Sequence, residues 1–268
     1  MPSGIAQKAL QVIRAPLPDL NIGINKTKSH ALHYGTFIGS LVPWDDFEEE
    51  ARQHVVALNL SNGGQVLGYK SITRPALLST ERFAVGDEMG LQSRFTERLS
   101  QVMTAVLEAI GSNSCFGDYK STGDRRIKGR VPDVAIRNDH GLLRVVGELK
   151  TPWIKLHNLK TACRNDRHLR RVLAQPVRYM FTAKLKYGFI STYNMTMFLK
   201  QEIIGGDWTI AFSRPIMSCT EAKRVDDGNY ADMVSLRECF LYLVQLAENN
   251  HIANNQLPEE QWFEGSVV

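Results

Sequence analysis

Apolar residues recur at three- and four-residue steps between Asp87 and Ile110. Phe95, Leu99, Val102, Val106 and Ile110 fall on one side, and Ser93, Glu97, Gln101, Thr104 and Glu108 on the other. That period predicts an amphipathic helix, and Gly111 marks its end. A loop rich in glycine and basic residues follows. Two β-rich runs, 131–137 and 142–150, are joined by Asn138-Asp139-His140-Gly141, which reads as a four-residue hairpin loop. A second helix is predicted over 164–185, with Leu169, Val172, Leu173, Val177, Met180 and Phe181 as its apolar set; Pro176 must start a new turn there or kink the segment. Runs 187–193 and 196–201 predict a hairpin across Asn194, 208–214 adds another strand, and a last helix covers roughly 230–248.

Ahead of this series the pattern is weaker. Residues 34–84 alternate short apolar runs (37–42 and 55–60) with turn signals such as Asn62-Gly63-Gly64, which suggests a few strands or short helices. Residues 1–30 carry Pro16, Pro18 and a polar stretch over 25–30, and read as an arm. The order helix, hairpin, helix, hairpin, helix predicts an α/β or α+β fold with a mixed central sheet flanked by helices. The expected organisation is an arm over 1–30 and one domain over 31–268, with its core at 87–215.

Composition narrows the class without naming a partner. Hydrophobic residues make up 43% and charged residues 22% of the 268, as in ordinary soluble proteins, and the formal charge of +4 alone does not imply nucleic-acid binding. Cys115, Cys163, Cys219 and Cys239 are far apart with no CxxC pair, which argues against a zinc ribbon and a disulfide scaffold and for a reducing compartment. No signal peptide and no run of 18 apolar residues is present, so the expectation is an intracellular protein of the cytoplasm or nucleus with no membrane partner. His157 and His168 lack a second ligand at a metal spacing and read as surface residues, and His30 and His33 form no metalloprotease motif.

Candidate chemistry lies on the first hairpin. With a loop of 138–141, Arg137 faces Leu142, Ala135 faces Arg144 and Asp133 faces Val146. Asp133 then shares a face with Glu148 and Lys150, with Glu148 as its diagonal neighbour at about 7–8 Å. Two carboxylates so placed can converge on a hard divalent cation such as Mg²⁺, with Mn²⁺ as a substitute. Such an ion acidifies bound water and polarises a phosphodiester, and an adjacent lysine adds charge stabilisation.

Pro132-Asp133, then Glu148-Leu149-Lys150 after fourteen residues, resembles the PD-(D/E)XK nuclease signature. The resemblance implies a restriction-endonuclease-like core in which Asp133 and Glu148 bind metal and Lys150 assists the attacking water. Gln175 and Tyr179, one helical turn apart, resemble the QxxxY motif that follows the core strands in the RecB-like branch and would join the catalytic set. The family's extra acidic ligand on the first helix implies Glu97 here. Residues 87–200 also resemble the PD-(D/E)XK-like domains of fungal proteins, some of which sit beside a kinase-like domain; the kinase signatures themselves are missing.

The expectation is therefore a metal-dependent nuclease acting on DNA rather than RNA. Lys120, Arg125, Arg126, Lys128 and Arg130 of the basic loop, and Arg167, Arg171 and Arg178 of the second helix, would contact phosphates. Each residue has an ordinary alternative: Asp133 as a turn residue, Glu97 as solvent surface, Gln175 and Tyr179 as helix packing, and the basic set as solvated charge. A non-cleaving module that binds nucleic acid or a protein, and a toxin or effector nuclease, remain the alternative functions.

Overall fold

The run LRVVGEL is apolar on both strand faces except for one arginine and one glutamate, as expected of a strand covered on both sides. The computed structural model describes residues 5–28, 35–58, 60, 66–69, 83–228 and 232–265, and all seven residues of that strand, Leu143–Leu149, are buried. It lies inside an eight-stranded sheet formed by β1 (Ser40–Pro43), β2 (Ser114–Gly117), β3 (Val134–Asn138), β4 (Leu143–Leu149), β5 (Tyr187–Ser191), β6 (Met195–Ile204), β7 (Asp207–Phe212) and β8 (Ile216–Met217). The order is β1-β7-β6-β5-β4-β3-β2, with β8 on β6. β4 and β5 run parallel, as do β7 and β1, and the other neighbours are antiparallel.

Helices cover both faces, so the fold is the expected mixed α/β class. On one face α1 (Ala9–Arg14), α2 (Phe47–Ala57), α3 (88–109) and α6 (Leu236–Asn249) share a core with the sheet, and on the other α4 (Leu159–Ala162) and α5 (Asp166–Thr182) do so. Among the described residues no helix is long and apolar enough to cross a membrane.

α3 is built in three pieces: Glu88–Phe95, a π-helical turn over Thr96–Ser100, and Gln101–Ala109. The side chain of Asp87 caps it by accepting from the Gly90 N–H at 2.7 Å, and Gly111, at φ 78°, follows its end. Its core residues Leu91, Phe95, Leu99, Met103 and Leu107 repeat strictly at four. An α-helix turns about 100° per residue, so such a stripe drifts by about 40° at each step. The wider π turn takes up that drift. Met103 therefore faces the core where Val102 was expected, and Ile110 is only half-buried.

Three further expectations are corrected. α5 begins at Asp166, capped by Asn165, whose side chain accepts from the His168 N–H at 2.9 Å, and it runs through Pro176 without interruption. The lost backbone bond costs about 3 kcal/mol or more, and the continuous burial of 172–180 against the sheet offsets it. α6 starts at Leu236 rather than near 230, because Met233 pairs with Lys223 and Ser235 and Glu238 form a capping box; 229–231 lie outside the described residues. The segment expected to be an arm is packed over its described part: Ile13 and Leu17 are buried, the Leu17 N–H donates to the Ser218 carbonyl, and the Tyr193 hydroxyl to that of Pro18. Of the weak region before α3, expected to hold strands or short helices, residues 55–57 end α2, and Asn62-Gly63-Gly64 falls outside the described residues, as do His30 and His33.

Gly147 in β4 exists for the ring of Phe189, which a Cβ would meet at 2.0 Å. Overpacking of this kind costs about 1–3 kcal/mol. Gly147→Ala is therefore expected to lower the unfolding free energy obtained from urea titration by that amount, and an unchanged value would show that the β4–β5 packing is looser than described.

Candidate functional site

The hairpin of β3 and β4 differs from the predicted register in two single steps. Arg137 pairs with Leu143 rather than Leu142, and a bulge at Arg144 then pairs Ile136 with Val145, Ala135 with Val146 and Val134 with Gly147. One step further along, Asp133 comes opposite Glu148 instead of Val146. The two shifts add to an even number, so the face is conserved while the carboxylates move from diagonal to direct neighbours. The bulged Arg144 is buried and reaches Asn113 Oδ1 at 2.6 Å and Glu248 of α6 at 3.4 Å, which secures the irregularity.

Asp133 sits just before β3 and is held at two points. Its Oδ2 accepts the Leu149 N–H at 2.8 Å, and its own carbonyl accepts the Gln92 amide of α3 at 2.8 Å. Glu148 is 2% exposed; its Oε1 accepts from Lys150 Nζ at 2.6 Å, while its buried Oε2 receives no hydrogen bond. The third carboxylate is Glu88, in the first turn of α3, and oxygens of Glu88, Asp133 and Glu148 lie within 4.8 Å of one another. Glu97, the acid expected to complete this set, pairs instead with Arg94. It lies nine residues beyond Glu88, about 13 Å along the axis at 1.5 Å per residue, too far to reach the others. Glu88 follows the Asp87 cap in the first turn of the helix, and nothing in its sequence position shows that this turn meets the strand ends.

Lys150 follows β4, its N–H bound to the Ser191 carbonyl at 2.9 Å. Its Nζ also donates to Gln175 Oε1 at 2.9 Å; Gln175 Nε2 donates to the Tyr179 hydroxyl at 2.8 Å, which reaches the Val131 carbonyl at 3.3 Å. Gln175 and Tyr179, expected to be catalytic, thus stand behind Lys150 and tie α5 to the segment that leads to Asp133. Pro176 does not turn Gln175 away.

Burial is the main electrostatic influence. It pushes the Asp133 carboxyl up to about 6, with the Glu88 charge acting in the same direction and the Leu149 N–H and Lys150 opposing. Burial also pushes Glu148 up to about 8, although the Lys150 ammonium pulls it down. The Tyr179 phenol is pushed well up by burial and by the Glu148 charge, and stays a neutral donor. Three carboxylate oxygens within 4.8 Å of one another, one each from Glu88, Asp133 and Glu148, form a donor set that fits one hard cation, and such an ion would replace the protons these acids otherwise retain.

The basic residues divide. Lys120, Arg125, Arg126, Lys128 and Arg130 are exposed, as are Arg167 and Arg171 on α5. Arg126 pairs with Asp124, its Nε at 2.9 Å. Arg130 is near enough for its charge to act on Tyr179. Arg178 departs from expectation: it is buried, and its guanidinium lies 4.5 Å from the Phe263 ring centre, so it is a packing residue rather than a phosphate contact. His157 is likewise buried, with Nδ1 3.0 Å from the Thr151 carbonyl.

Two clefts flank the carboxylates. The larger, about 530 Å³, runs from Asp133 along α3; the smaller, about 280 Å³, lies between Glu88 and Lys150.

Both raised carboxyls hold protons more tightly in the folded chain than at their ordinary values of 3.8 and 4.5. Folding therefore takes up protons, and the stability these groups contribute is fullest at low pH and falls as pH rises through about 6 and then about 8. A cation binds the deprotonated forms and reverses the loss. Mn²⁺ is expected to raise the Tm more at about pH 8.5 than at about pH 5.5; an equal gain at both, or none, in a thermal-shift measurement would rule out cation binding by these acids.

No family model matches the chain, and no curated protein or solved structure matches it either, so its function is argued from the geometry of this site.

Proposed function

We propose that the protein is a metal-dependent nuclease of the PD-(D/E)XK type that hydrolyses phosphodiester bonds, with DNA as its substrate and Mg²⁺ as its cofactor. The observation that carries this reading is Glu148: a carboxylate buried in a central strand, bonded to Lys150 through one oxygen, with the other meeting no N–H or hydroxyl donor among the described residues and lying beside the Asp133 carboxyl. An unsatisfied buried acceptor costs about 1–3 kcal/mol or more, and the reading assigns that deficit to a cation shared with Asp133 and Glu88, which takes the place of the proton Glu148 otherwise holds.

Glu88, Asp133 and Glu148 would hold the cation. When bound, it supplies positive charge that polarises a phosphodiester oxygen and makes an adjacent water more acidic. The chain's own contribution is orientation. Lys150 has three N–H donors, two of them engaged by Glu148 and Gln175, which leaves one for the attacking water or a phosphoryl oxygen. The Gln175–Tyr179 bond fixes the direction of that donor, so that little reorganisation is needed during reaction. The exposed cations of 120–130 and of α5 supply backbone attraction independent of sequence.

Cleavage of linear, circular and single-stranded DNA and of RNA, with Mg²⁺, Mn²⁺ or EDTA, tests the reading. Asp133→Asn, Glu148→Ala, Glu88→Gln and Lys150→Ala are each expected to lower the rate by about 10²-fold or more, the scale seen when one preorganised group is removed. Glu97→Gln is expected to stay near wild type. Undiminished hydrolysis by purified Glu148→Ala would end the assignment; salt-sensitive binding without turnover in any metal would replace it with a binding module.

A further inference from the structure

The larger cleft has a chemistry unlike that of the rest of the site. It begins at Asp133 and follows one side of α3 through the π turn, with Thr96, Gln101 and Glu108 on its helical wall and Phe116 and Asp118 opposite. None of the described residues lining it is a lysine or an arginine, and Glu108, Asp118 and Asp133 give it three carboxylates. Phosphates would be repelled from such a surface, so it is unsuited to a nucleic-acid backbone. Its volume of about 530 Å³ lies within the ~300–1,000 Å³ of small-ligand pockets, and its lining combines amide and hydroxyl groups with one aromatic ring.

We infer that this cleft takes an unpaired nucleobase next to the phosphate at the metal site, so that the enzyme acts on single-stranded or locally opened nucleic acid. The inference rests on the nuclease reading for the identity of its substrate, but its evidence is separate. Bases are neutral and planar with donor and acceptor edges, and out of the stack they are held by edge hydrogen bonds and by contact with aromatic side chains. Gln92, fixed by its bond to the Asp133 carbonyl at 2.8 Å, places an amide where the cleft meets the metal site. Thr104 is also preset, its hydroxyl accepting the Phe116 N–H at 3.0 Å and holding that ring's strand against α3. Five successive residues in π-helical form make this wall, and π turns within α-helices are frequent at functional sites. The lysine side of the carboxylates is the second cleft, bounded by Lys150 and Thr151. The charged and the neutral parts of one nucleotide therefore have separate places on the two sides of the metal site.

The test compares a labelled single-stranded DNA oligonucleotide with the same backbone carrying a stable abasic unit at every position. Binding of each to the full chain is read by fluorescence anisotropy in EDTA, where cleavage plays no part. Wild type is expected to bind the base-bearing strand at least tenfold more tightly. Gln101→Met and Ala105→Met, two exposed positions that enter the cleft from successive turns of α3 without adding a ring or changing a charge, are each expected to bring the two affinities close to parity while leaving abasic binding unchanged; circular dichroism confirms that each variant is folded. Equal affinity of wild type for the two strands, no binding of either, or a preference that survives in both folded variants would overturn the inference. Cleavage in Mn²⁺ is scored separately: hydrolysis without base preference would remove the base cleft and leave the nuclease, and base preference without hydrolysis the reverse.

Discussion

A carboxylate and an ammonium two residues apart on a doubly covered strand have to satisfy each other, and the site is arranged around that demand. Glu148 and Lys150 are 2% and 8% exposed, and their contact of 2.6 Å offsets part of a burial cost of several kcal/mol for each charge. The pair is not self-sufficient. Lys150 takes a second acceptor from Gln175, which is itself held by Tyr179, and Glu148 keeps one oxygen bare. The β3–β4 hairpin and α5 are thereby tied to one point. The remaining deficit on Glu148 can be met by a proton, which accounts for its raised titration, or by a cation shared with Asp133 and Glu88.

Two departures from regular geometry make the convergence possible. A straight β3–β4 ladder with the loop at 138–141 would leave Asp133 beside Val146. The longer turn and the Arg144 bulge each advance the register by one, which brings the acids together without moving either to the other face. In α3 the π turn lets a stripe repeating at every fourth residue stay on the core through Leu107. Without it the stripe would rotate away and α3 would lose its contact with the sheet along the second half.

The sequence carried much of this in plain form. Alternation and helical period located the helices and hairpins of the core, and the same-face placement of Asp133, Glu148 and Lys150 followed from parity alone. What escaped was of a different kind. β2 is a four-residue edge strand with no alternating pattern long enough to mark it. The packing of residues 9–18 depends on Ile13 and Leu17, too few for a period to register. Glu88 was hidden because it lies nine residues before Glu97, about half a turn away around an α-helix, and so off the polar face that the period marks; Glu97, on that face, was the natural choice. Arg178 looked like one more surface cation because the ring that receives it, Phe263, is 85 residues away in the chain and carries no local signal.

The distribution of charge around the carboxylates is the last constraint. α3 and α5 lie on opposite faces of the sheet, and the exposed cations Arg167 and Arg171 belong to α5, while the cleft along α3 is lined by acids and amides. A duplex presents phosphates on its whole outer surface and would have to press one backbone against Glu108 and Asp118. A single strand can turn its phosphates toward the cations and its bases toward α3, because its backbone torsions are free. Under the proposed function, the same asymmetry would give a cation at Glu88, Asp133 and Glu148 a second role: neutralising the acids at the junction of the two regions, where a phosphate would pass closest to negative charge.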